Sequence, residues 1–186
     1  MTLRATIFAL LLSLFLIPRN AFAGDDACRH QLPKELVSAI AERFPEHRTP
    51  RENDNLAEDV GWARNHGGSA CLGVASGNFY GDGKMQWVVA LRSKKNADSS
   101  LIIVARRSHS GWHFDKLLLW PTLASHLYVA REPPGHYDRA DRDPTNKNEA
   151  EQLKCERDAI AIGETEAGQL NYCQVMGKWL SITVAE

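Results

Sequence analysis

The chain has 186 residues, 44% hydrophobic and 24% charged, close to the averages of foldable globular proteins, which argues against wholesale disorder. Its 22 Lys+Arg and 23 Asp+Glu leave a net charge of −1, too little positive field to hold a nucleic-acid backbone. The length suits one domain, or two small ones.

Residues 1–23 read as a secretory signal peptide. Arg4 is the basic start, Ile7 to Ile17 is apolar except for Ser13, Pro18 breaks it, and Ala21-Phe22-Ala23 is the small-x-small cleavage pattern. The apolar run is shorter than the roughly 20 residues of a membrane span. Asp25-Asp26-Ala27 before Cys28 lacks the small and apolar character of a lipid-modified cysteine. The expected product is periplasmic or secreted, with no membrane span after cleavage. It starts at Gly24 and is more acidic, because Arg4 and Arg19 leave with the leader.

Cys28, Cys71, Cys155 and Cys173 all survive cleavage, and an even count in an exported chain favours disulfides. Three pairings are possible. Cys28–Cys71 with Cys155–Cys173 is preferred, because the segments near 155–162 and 169–175 read as neighbouring strands across Gly163-Glu164-Thr165-Glu166. The cysteine spacings match no zinc pattern.

Pro33 to Phe44 is the expected helix, with Leu36, Val37, Ile40 and Phe44 at helical spacing between two prolines. Residues 46–59 read as a polar loop or covering segment, and Cys71 to Ala75 as a first strand. Gln86 to Leu91, Leu101 to Arg106 and Trp112 to Leu119 follow as strands, the last two joined by a tight turn at Ser108-His109-Ser110-Gly111. Leu101 to Ala105 is apolar on both faces, which predicts a central strand covered on one side by the helix. Leu127 to Ala130 is a further short strand. Residues 132–148 read as a long polar loop. Residues 159–162, 170–175 and 178–184 form a closing meander. The predicted class is α+β: residues 24–186 as one disulfide-stapled domain, an N-terminal helix packed on a mainly antiparallel sheet. Two three-stranded halves are the alternative.

The most distinctive string is Gly77-Asn78-Phe79-Tyr80-Gly81-Asp82-Gly83-Lys84, followed by Met85-Gln86-Trp87. Over residues 77–87 it resembles the Asp-x-Asn-x-Asp-Gly calcium loops of integrin-type FG-GAP repeats, which implies Asn78 and Asp82 as calcium ligands. Tyr80 and Gln86 stand where further ligands belong, leaving one carboxylate, whereas calcium wants several oxygens. Gly81 and Gly83 equally suit a tight turn into a strand. The string is also similar to the Gly-Asp-Gly-Lys turn of small exported bacterial proteins of unassigned function, which implies no activity.

Three functions follow. The first is a protein-binding module, such as an inhibitor or an immunity protein neutralising an envelope-acting enzyme or toxin. Its contacts would be His109 and Trp112 at the hairpin tip and His136, Tyr137 and Arg139 in the polar loop, since aromatics and arginines anchor interfaces. The second is an envelope hydrolase using His109, His113 and Asp115. On a strand His113 and Asp115 share a face, so the carboxylate could orient the imidazole for proton transfer. The third is a calcium-binding structural domain. No phosphate-binding glycine loop, dinucleotide fingerprint or Gly-x-Ser-x-Gly elbow is present, and no cofactor is expected.

Overall fold

The computed structural model describes residues 26–140, 151–165 and 167–184. The expected leader at 1–23 and positions 141–148 of the expected loop lie outside the described residues.

Helix α1 spans Lys34–Arg43. Pro33 stands at its N-cap, and the Phe44 N–H donates to the Ile40 carbonyl to close it. Strands β1 (His47–Arg48), β2 (Val74–Gly77), β3 (Gln86–Ser93), β4 (Ser100–Ser108) and β5 (Gly111–Trp120) make one sheet. Strands β6 (Leu127–Glu132), β9 (Ala159–Glu164), β10 (Gln169–Val175) and β11 (Lys178–Val184) make a second. β7 (Gly135–Asp138) and β8 (Gln152–Cys155) form a separate hairpin-like pair. Every pairing is antiparallel.

The period of two sorts the core into layers. Val89 and Leu91 of β3, with Leu101, Ile103 and Ala105 of β4, share a buried cluster with Leu36, Ile40 and Phe44. Their neighbours Val88, Ala90, Ile102 and Val104 point the other way, into a cluster with Leu127, Val129, Ile160 and Ile162 of the second sheet. The far side of that sheet contributes Ala159, Cys173, Ile182 and Val184 to a third cluster with Leu153 and Cys155. Cys28–Cys71 ties the N-terminal segment to the approach to β2, and Cys155–Cys173 ties β8 to β10, the expected pairing. Among the described residues no helix is long and apolar enough to cross a membrane.

Four expectations need correction. Residues 46–59 are no simple loop: a 3-10 turn spans Glu52–Asp54, and a second helix, α2, covers Ala57–Asn65. Its apolar face is narrow, essentially Val60 and Ala63, so periodicity hides it. The strand expected at Cys71 to Ala75 as the first is the second, β2, and runs Val74–Gly77. The expected loop from 132 holds β7, whose polar composition reflects a strand covering an outer face rather than a core. The alternative of two three-stranded halves is replaced by a five-stranded and a four-stranded sheet.

Among the described residues Arg92 is the largest fully buried side chain. It donates to Ser100 Oγ, to the Ala124 carbonyl and to Asn55 Oδ1, with Asp54 Oδ2 at 3.8 Å. Asn55 in turn donates to the Ser125 and Leu127 carbonyls at 3.1 and 2.8 Å. The 54–55 corner and the 124–127 corner are thus fastened to the end of β3.

The two disulfides close loops of 43 and 18 residues. On the chain-entropy account, Cys28→Ser with Cys71→Ser costs about 4 kcal/mol, and Cys155→Ser with Cys173→Ser about 3 kcal/mol. Urea unfolding of both double variants checks this. A reversed order would show that the bond to β8 does more than restrict the unfolded chain.

Candidate functional site

The His113–Asp115 pair forms. β5 turns Trp112 and Phe114 toward the α1 layer, so His113 and Asp115 face the second sheet. His113 Nε2 lies 3.2 Å from Asp115 Oδ1. The other carboxylate oxygen accepts from the Tyr80 hydroxyl and, at 2.9 Å, from Trp179 Nε1. Tyr80 and Trp179 meet edge to face, and the Arg106 guanidinium lies 4.7 Å from the Tyr80 ring centre.

Burial opposes charge on Asp115, but the hydrogen bonds from Tyr80 and Trp179, with His113 and Arg106 nearby, outweigh it and hold the carboxyl below its ordinary value. Burial first, and the adjacent carboxylate second, push the Tyr80 hydroxyl up, so it stays a donor at neutral pH. Asp115 therefore joins three elements: β5, the turn before β3, and β11. Among the described residues no Ser, Thr or Cys side chain hydrogen-bonds His113, and no ion pair or hydrogen bond links His109 to either group.

The 77–83 turn uses its polar groups internally. Asn78 Oδ1 accepts from the Gly83 N–H at 3.2 Å, and Asp82 Oδ1 accepts from the Lys84 N–H and from Gln86 Nε2. Gln86 is fully buried, and its carbonyl oxygen accepts from the Tyr80 N–H. Phe79 is fully buried between the sheets. The Asn78 N–H donates to Asp158 Oδ2 across to the second sheet. The residues that the calcium resemblance singles out hold the turn closed. Among the described residues no group of three or more His, Cys, Asp or Glu could hold a metal.

The expected contact residues fall in different layers. His109 and His136 are exposed. Trp112 is half-buried, edge to face with Trp87 at 5.6 Å, which corrects its expected exposure. Tyr137 is half-buried against the outer cluster and donates to the Pro133 carbonyl, and Arg139, two residues on, is half-buried. The β4–β5 tip belongs to the first sheet, whereas β7 pairs with β8 over the outer cluster of the second.

A surface that sequence reasoning missed lies between α2, β2 and β6. It is a groove of about 1030 Å³. Asp59, Trp62 and His66, at helical spacing, line one wall, Val74, Ala75 and Met85 another, and Tyr128 to Glu132 a third. Trp62 is 58% exposed and Met85 55%. The Trp62 ring stacks on His66 with centres 4.2 Å apart. Trp62 lies on a helix with few buried apolar residues, which was the signal available in the sequence. A second hollow, of about 1000 Å³, is walled in part by Glu52 and Arg64, whose charges already pair at 2.5 Å.

No known family model, curated protein or solved structure matches the chain.

Removing the Asp115 acceptor strands two partly buried donors, at about 1–3 kcal/mol each. Asp115→Ala is expected to lower stability by about 2–6 kcal/mol. The half-exposed His113→Ala should cost less than about 1 kcal/mol. Because the folded carboxyl titrates below its unfolded value, its contribution is complete above about pH 4 and disappears as pH falls through the lower folded value. Denaturation of wild type and Asp115→Asn from pH 7 to pH 2 should show the gap closing only in acid.

Gly81 and Gly83 give a second test, since both sit at positive φ, 71° and 72°. A Cβ on Gly81 would come within 2.1 Å of Arg157 Nε, whereas one on Gly83 meets nothing within 4 Å. Gly83→Ala should cost about 1 kcal/mol from backbone strain, and Gly81→Ala measurably more, read as the difference in urea midpoints.

Proposed function

We propose that the chain is an exported protein-binding module, acting as an inhibitor or immunity protein would, and that it grips its partner in the α2–β2–β6 groove. The observation that carries this reading is the pair of large apolar side chains, Trp62 and Met85, both exposed and both lining one hollow. Apolar surface gathered in a concave site lowers its free energy when a partner excludes water from it, and tryptophan is the residue type most often found at such anchors. The two disulfides suit an oxidising compartment, which supports export.

The same geometry weighs against the hydrolase. Asp115 is engaged by three partners and lines neither large hollow; a smaller one of about 530 Å³ beside α1 is reached by His113 but not by Asp115. Asn78 and Asp82 are occupied within their turn, so calcium is not carried forward.

The test is capture by the tagged chain from Gly24 onward, made in its native host, with Trp62→Ala, His109→Ala and His136→Ala in parallel. A stoichiometric partner retained by both histidine variants and lost by at least tenfold in affinity with Trp62→Ala supports the groove. A tenfold loss corresponds to about 1.4 kcal/mol, within the range of a single interface anchor. Loss with the histidine variants instead would return the contact to the hairpin tip or β7. Unchanged melting of Trp62→Ala would show that the fold is intact.

A further inference from the structure

The groove holds more than apolar surface. Asp59 is 5% exposed, and its Oδ2 accepts no hydrogen bond, although His126 Nδ1 approaches to 3.2 Å. Asp59 nevertheless lines the hollow, three residues before Trp62 on α2. Glu132, at the end of β6, lines the same hollow; it is half-buried, and among the described residues its carboxylate has neither an ion pair nor a hydrogen bond. Burial alone pushes its pKa up, the signature of a carboxyl without a nearby cation.

The positive groups nearby are otherwise engaged. The Arg131 guanidinium points to Asp158, 4.0 Å away. His66 is stacked on Trp62, and its Nδ1 lies 2.8 Å from the Trp62 carbonyl. His126 faces Asp59. The groove therefore combines an exposed indole, an exposed thioether, the unpartnered Glu132 carboxylate and an Asp59 carboxylate whose neighbour is His126.

We infer that the groove takes a lysine or arginine side chain of the partner, with the aliphatic stem along Trp62 and Met85 and the cationic head toward Glu132 and Asp59. Aromatic faces attract cations, most strongly where water is excluded, and long basic side chains cover apolar surface while keeping the charge at a polar rim. A buried carboxylate that lacks a donor gains a hydrogen bond and a counter-charge in the same event. The inference rests on the groove being the binding surface.

The experiment is a titration of the mature chain, labelled with ¹⁵N, with N-acetyl-lysine methylamide and with its neutral isostere N-acetyl-norleucine methylamide. A neutral oligosaccharide, chitotriose, is the third probe. The lysine probe should shift the Trp62 indole and the Val129–Glu132 amides and bind about tenfold more tightly than norleucine. Glu132→Gln, whose carboxylate holds no other element, should erase that preference while the unliganded spectrum stays native. Raised salt should weaken lysine and leave norleucine unchanged. Equal binding of lysine and norleucine, shifts from chitotriose alone, or no shift at the groove would each overturn the inference.

Failure here is separable from failure of the groove itself. A partner lost with Trp62→Ala but held equally by Glu132→Gln would leave an apolar binding groove and remove only the basic side chain.

Discussion

The structure depends on one constraint: β3 and β4 are apolar on both faces. Val88 to Leu91 and Leu101 to Ala105 are all buried, so neither side of this pair can face water. A sheet with two apolar faces needs two covers. On one side the cover is α1 with Leu32 and the Cys28–Cys71 bond, and on the other it is the four-stranded sheet. That second sheet then has its own far face, which β7 and β8 shield. Each layer exists because the one before it leaves apolar surface unsatisfied.

Polar side chains are buried or partly buried where these layers meet. Gln86 closes the turn into β3, Arg92 fastens two corners to the other end of that strand, and Asp115 joins β5 to β11 and to Tyr80. A buried polar group is costly unless it finds its partners, so each of these tolerates one arrangement of its neighbours. Apolar packing brings the sheets together without choosing among nearby registers. The polar nodes make that choice, and the Gly77–Lys84 string is best understood as one of them.

The groove arises where two edges approach without forming a ladder. The Val129 N–H donates to the Leu72 carbonyl at 2.8 Å, but β2 and β6 are not paired strands. Beyond that bond the edges leave a hollow, and α2 brings Asp59, Trp62 and His66 to its wall. The rigid sheets hold two walls in place. Side chains from the helix and from both edges therefore meet over a scaffold that the core has already stabilised.

Much of this architecture was legible in the chain. The apolar double face of residues 101–105, the strands around it, the closing meander, α1 between its prolines and the disulfide pairing all follow from local pattern or from strands adjacent in sequence. The His113–Asp115 contact was legible too, because strand periodicity fixes a shared face. The helix α2, the strand β7 and the exposure of Trp62 were not. Glu58 and Asp59 in the first turn and Arg64 in the last fit a helix dipole, but so short a helix with two buried apolar residues shows little periodicity. Sequence alone determined which segments are apolar and with what period, because that depends on neighbours a few positions apart. Tertiary structure alone decided that Asp59, Trp62, Met85 and Glu132 share one hollow, because they come from separate elements whose proximity is set by how the layers pack.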